Sequence, residues 1–385
     1  MTLTLLGGYP LYLYFSDGLI DPSGEILIGR DFANYYAASQ LFLTNDLQVL
    51  FDLVEYRAYL ESTFGHTFEL NWSYPPSYLL FVLPLALLPY MFAYVGWVSV
   101  GASLYALSLR RVLPRPNQFG VHELVILLLA PATLINVFFG QNGFIFGTLL
   151  YLGLAFTGRR PIAAGLCFGL LTIKPQLGLL IPVMLLLTHQ WRTIATATLT
   201  CGAVIVVSVL IFGANTWIDY VEKVLPVQRG VMEEGTGLFL KMLPGVFGLG
   251  RLLELEPRVA YLAQLPVSLF ALSVTVWLFA KARSDKEAVR LLFIVAVFLA
   301  TPYAFNYDMT ALTPALIAYW NSRNIEQVQA KQKFVTISLF LLPWLLFAAP
   351  VGPFILIACA VILCVEISKS SRRLSVGHAP NRVTA

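Results

Sequence analysis

Charge is what this chain has least of. Only 12% of its 385 residues are Asp, Glu, Lys or Arg, against about 25% in a soluble globular domain, which argues against an ordinary water-soluble fold. Cysteine is as sparse: Cys167, Cys201, Cys359 and Cys364 all lie in apolar runs without CxxC spacing. A disulfide framework or zinc ribbon is therefore not expected, and the four read as small buried hydrophobes. His66, His122, His189 and His378 are scattered without ligand spacing, so no metal is expected. No nucleotide loop is present, since Gly245, Gly248 and Gly250 follow no strand, and no cofactor is expected. The net charge of +4 sits in short groups between apolar runs, which is the pattern of helix-end anchors rather than of a nucleic-acid surface.

What the chain does have is apolar sequence: 58% hydrophobic residues and a mean hydropathy of +0.75. This predicts an all-α, polytopic membrane bundle. Residues 2–15 read as a first transmembrane helix, clipped by a late start. Residues 17–76 form a polar loop with nine acids and only Arg30 and Arg57 as bases, which places it outside. Residues 77–109 are 33 without a charge, about 50 Å as one helix against a hydrocarbon core of about 30 Å. Pro84 and Pro89 must break that run, leaving an interfacial or re-entrant piece and then one full span from Tyr90.

Basic groups then alternate with turns. If Arg110–Arg115, Arg159-Arg160, Arg192, 281–290, 323–333 and 369–382 are cytoplasmic, the turns at Gly140-Gln141, Lys174-Pro175, 215–256, 303–308 and 349–353 are outside. Counting on this basis gives about 12 passes with both ends inside. Residues 161–173 and 309–322 are too short to span unaided, so they must line an enclosed cavity or a thinned edge. Residues 1–366 form the membrane domain, with outer loops 17–76 and 215–256, and 367–385 form a basic, disordered cytoplasmic tail. In 215–227 the spacing of Trp217, Tyr220, Val221, Val224 and Leu225 predicts an amphipathic surface helix, either a lid or a plain connector.

One residue is out of place. Lys174 has 13 uncharged residues before it and 17 after it; a central Lys costs about 2.5–3.5 kcal/mol on insertion scales. It snorkels outward, lines a wet cavity or serves an anion. Tyr74, Gln141, Asn142, Lys174 and Asp308 all fall on the outer side in this topology, although Gln141-Asn142 is also an ordinary helix–helix connection and Asp31 an ordinary N-cap acid.

The string Arg30-Asp31-Phe32-Ala33-Asn34-Tyr35-Tyr36-Ala37-Ala38, then Tyr74-Pro75-Pro76, Gly140-Gln141-Asn142-Gly143, Ile173-Lys174-Pro175-Gln176 and Thr301-Pro302-Tyr303 with Tyr307-Asp308 resembles glycosyltransferase family 87. The ordered set covers roughly residues 29–321. The resemblance implies a GT-C fold and transfer of one sugar, mannose by analogy, from a polyprenyl-phosphate donor to a lipid or glycan acceptor hydroxyl. Transfer would invert the anomeric centre, at the outer face of a bacterial cytoplasmic membrane. It implies Asp31 as the catalytic base, with Asp17, Asp21 or Asp308 as the other acids in question. Lys174, Gln141, Asn142, Tyr74, Gln176, Lys241 and Asp308 are then the substrate-binding residues. The chemistry suits these types: a carboxylate takes the acceptor's proton, and Lys174, with Lys241 or Arg229, meets the charge gathering on the leaving phosphate. The competing readings are a secondary transporter or lipid-sugar flippase, whose internal repeats are not visible here, and a non-catalytic envelope partner.

Overall fold

A chain in lipid must satisfy its backbone internally, which favours helices. A computed structural model describes residues 29–65, 70–112, 120–281, 283, 285–324, 326 and 328–377, and among these every regular element is helical. The first polar loop carries α1 (Arg30–Leu43) and α2 (Leu53–Phe64). After the short apolar helix Pro76–Leu87 come α3 (Tyr90–Val112), α4 (Val121–Leu128), α5 (Pro131–Phe139), α6 (Gly143–Phe156) and α7 (Pro161–Leu171). Next are α8 (Pro175–Leu187), α9 (Trp191–Phe212) and α10 (Leu225–Glu234). The last five are α11 (Pro257–Phe279), α12 (Lys286–Ala300), α13 (Leu312–Asn321), α14 (Ala330–Ala348) and α15 (Gly352–Gly377). The expected first helix at 2–15, and Asp17, Asp21 and Glu25, lie outside the described residues.

Five helices, α3, α9, α11, α14 and α15, are long and apolar enough to cross a membrane. The pair α4 and α5, bent by 54°, makes a sixth if counted as one span. The bend falls at Ala130, whose ψ of 142° is extended, as steric conflict with the following Pro131 requires. The expected count of 12 passes is thus not reached by length. Helices α6, α7 and α8 are apolar but short; the 14 residues of α6 reach only about 21 Å. Helix α12 is buried without a break from Leu291 to Ala300, and α13 from Leu312 to Tyr319. A helix enclosed by protein is as apolar all round as one enclosed by lipid, so hydropathy alone counts both as passes. The break near Pro89 falls as expected, with α3 beginning at Tyr90. Helix α15 runs on through 367–377, so the expected disordered tail is helical that far, and 378–385 lie outside the described residues.

Two close approaches position the site. A Cβ on Gly143 would stand 2.3 Å from the Tyr307 carbonyl, and one on Gly147 2.1 Å from Thr310 Oγ1. Only small residues let α6 lie this near the turn Asn306–Ala311. Asn136 fixes the junction from α5, donating to Tyr307 O (2.8 Å) and accepting from Gly143 N (2.7 Å). The loop after α9 is helical from Asn215–Asp219 through a π turn at Tyr220–Val224 into α10. It leaves Ile218, Val221 and Leu225 exposed at helical spacing.

Candidate active site

Helix α1 starts beside a left-handed Gly29, and its first turn holds Asp31. Helix α5 ends at Gly140, with φ +67°, a conformation glycine adopts without steric penalty. A Cβ there would lie 2.4 Å from the Phe32 Cβ, so glycine also lets the two turns touch. That contact delivers Gln141 to Asp31: Gln141 Nε2 donates to Asp31 Oδ2 at 2.6 Å. Tyr35 OH donates to Gln141 Oε1 at 2.9 Å and shares a 2.9 Å contact with Tyr74 OH. A tyrosine has one proton to give. With Tyr35 spending its proton on Gln141, Tyr74 must donate to Tyr35, and the chain of polarity ends on Asp31 as acceptor.

Asp31 is half-buried at the cavity surface. Burial pushes its carboxyl above the ordinary carboxylate value, while Arg30, the Gln141 hydrogen bond and Lys174 pull it back. The result is a carboxylate more basic than an exposed aspartate, though less so than burial alone would make it.

Lys174 proves to have a protein partner. Its Nζ lies 2.6 Å from Asp308 Oδ1, with side chains 5% and 0% exposed, and Asp308 Oδ2 accepts from Phe305 N at 3.1 Å. The rings of Tyr307, Phe146 and Tyr74 stand 5.2, 5.3 and 5.8 Å from the ammonium, within cation–π range. The charge that hydropathy left unexplained is thus neutralised inside the bundle, with no need to snorkel. Both Asp308 oxygens are engaged, so Asp308 is not placed to act as the base.

A cavity of about 630 Å³ opens beside this network. Of the residues expected from sequence, Asp31, Gln141 and Tyr74 line it, while Asn142, Lys174, Gln176, Lys241 and Asp308 do not. Asn142 instead donates to Tyr78 OH at 2.9 Å. Lys174 and Asp308, expected from the sequence to bind substrate, lie behind the lining residues Tyr74 and Tyr307. Arg229 pairs with Glu233 at 2.8 Å and is not a lining residue.

The cations that line the cavity are Arg30 and Arg57, which the sequence reading passed over. Arg57 had a signal: it is one of two bases in an acidic loop. Asn71 and Gln228 had none, while Tyr303 lay in the Thr301-Pro302-Tyr303 motif without being singled out for the site. Asn71 donates to Gln228 Oε1 at 3.1 Å, and Gln228 donates to the Tyr303 hydroxyl. These bonds tie the first polar loop, the loop 215–256 and the turn after α12 into one wall. Val227, Val231, Leu238 and Phe239 of the loop 215–256 line the cavity.

A model of glycosyltransferase family 87 matches residues 72–302. The match includes Tyr74, Gln141 and Lys174, begins after Asp31 and ends just before Tyr303. No curated protein and no solved structure matches the chain.

Proposed function

Because the chain belongs to glycosyltransferase family 87 and is thus a membrane glycosyltransferase, we propose that this cavity moves a hexose, mannose first among candidates, from a polyprenyl-phosphate donor to a lipid or glycan hydroxyl. The observation that carries the reading is the hydrogen bond from Gln141 to Asp31 at the cavity wall. It links a carboxylate outside the matched segment to a residue within it. In the proposed step the acceptor oxygen attacks the anomeric carbon from the face opposite the phosphate, and its proton passes to Asp31. The sugar–phosphate bond breaks with its electron pair on the phosphate, and configuration inverts.

The negative charge that gathers on the leaving phosphate meets Arg30 and Arg57, which line the same cavity. Charge-assisted contacts of this kind are about twice as strong as neutral ones. The outer-face assignment is supported by charge: Lys281, Arg283, Lys286 and Arg290 lie at the opposite end of α12 from Tyr303, and cytoplasmic ends carry the Lys and Arg excess. The test is donor dependence. Purified protein given polyprenyl-phosphate mannose and crude lipid acceptors is expected to form a new glycosidic product. Movement of the lipid-linked sugar across a vesicle bilayer with no product would favour the flippase reading and refute this one.

A further inference from the structure

Helices α6 and α12 each run away from the site described above. Gly143, at the start of α6, adjoins Gln141, and the residues just after α12 include Tyr303 and Phe305 of the cavity wall. Their far ends, about 21 Å away at 1.5 Å per residue, meet a second cavity of about 470 Å³. Its lining joins four cations, Lys281, Arg283, Lys286 and Arg290, to apolar walls that include Leu187 and Phe293.

No acid lines this cavity among the described residues. The nearby carboxylates are committed: Glu287 takes Arg290 Nη1 on both oxygens at 2.6 and 2.7 Å, and Asp285 pairs with Arg323 at 2.7 Å. Arg283 is pre-set, its guanidinium 4.2 Å over the Trp277 ring and one Nη donating to Trp277 O at 2.8 Å. Its Nε is shut off from solvent with no hydrogen-bond partner among the described residues. Lys281 and Lys286 are exposed at the rim, and no ion pair holds either among the described residues.

We propose that this basic cavity binds a phosphate anion, the group shared by lipid headgroups and free phosphate, at the end of the bundle remote from Asp31. A pre-set guanidinium and two exposed lysines beside apolar walls match a phosphate that carries acyl chains. Basic pockets between membrane helices on the cytoplasmic side hold anionic headgroups for the same reason. The site is separate from the transfer cavity and does not depend on which sugar is transferred.

The experiment titrates the detergent-purified full chain with short-chain phosphatidylglycerol, short-chain phosphatidylcholine and inorganic phosphate, and reads thermal protection. Phosphatidylglycerol is expected to protect and phosphatidylcholine not. The exposed pair Lys281→Gln with Lys286→Gln is expected to weaken that protection about 30-fold, since each basic residue near a membrane surface contributes about 1 kcal/mol. Protection by inorganic phosphate at the same molar concentration, lost in the same double variant, would assign the site to free phosphate. Equal protection by phosphatidylcholine, or a double variant that responds like wild type, would overturn the proposal. The lipid and phosphate comparisons on wild type stand without the variant.

Discussion

Lys174→Met removes one charge of a buried pair and leaves the Asp308 carboxylate, 1% exposed, with no cation beside it. Breaking a buried ion pair by deleting one partner costs about 3–5 kcal/mol, because the remaining charge stays desolvated and unpaired. The opposing term, about 2.5–3.5 kcal/mol gained when a central lysine is removed, belongs to insertion from water. It does not enter when folded and unfolded chains both stay in detergent. The single variant is therefore expected to lose stability by about 3–5 kcal/mol in mixed-micelle denaturation, and Asp308→Asn to lose a similar amount. The double variant Lys174→Met with Asp308→Asn is expected to recover most of the loss, because no charge then remains buried and the asparagine can still accept from Phe305 N. A Lys174→Met protein as stable as wild type, or a double-mutant cycle that is simply additive, would refute the pair as the reason the lysine is there. Activity separates two roles. If Lys174 only holds Tyr74 and Tyr307 in place, the stable double variant regains transfer; if its charge meets the donor phosphate, the double variant stays inactive though folded.

Asp31→Asn keeps the side-chain volume and is expected to lower kcat by about 10²–10⁴, the usual share of a general base, while donor binding persists; loss of donor affinity instead would make Asp31 a binding group. Tyr35→Phe deletes the donor that orients the Gln141 amide toward Asp31. Since that hydrogen bond lowers the Asp31 pKa, the acid limb of kcat/KM is expected to move to higher pH, with activity recovered in alkali; an unmoved limb with uniformly reduced rate would mean Tyr35 only packs. Because burial raises the folded pKa of Asp31, its protonation favours the folded state below the ordinary carboxylate value. That contribution fades as pH rises through the raised value, so an Asp31→Asn protein is expected to lose less stability than wild type over that window. Single cysteines at Ser62 and Thr236, both exposed in the polar loops, are expected to react with an impermeant thiol reagent outside intact cells while one at Ser371 does not; outside labelling at Ser371 would invert the topology.

The sequence by itself determined that the chain is a helical membrane protein, because scarce charge and long apolar runs leave the backbone no other way to satisfy its hydrogen bonds in lipid. It also carried the family, through short motifs such as Gly140-Gln141-Asn142-Gly143 and Lys174-Pro175-Gln176, and it marked the break near Pro89, since a ring without an N–H interrupts a helix wherever it falls. The number of spans was not legible there. Helices α12 and α13 are enclosed by protein, and hydropathy records only that a segment avoids water, not what replaces the water. The partner of Lys174 was equally hidden, for Asp308 lies 134 residues away and no local pattern reports so distant a contact. Only the tertiary structure decided that Gln141 reaches Asp31, because that hydrogen bond depends on two turns meeting across a glycine with no Cβ. Spatial packing likewise decided that the cations lining the cavity are Arg30 and Arg57, since the charge of a residue is written in the sequence and the direction it faces is not.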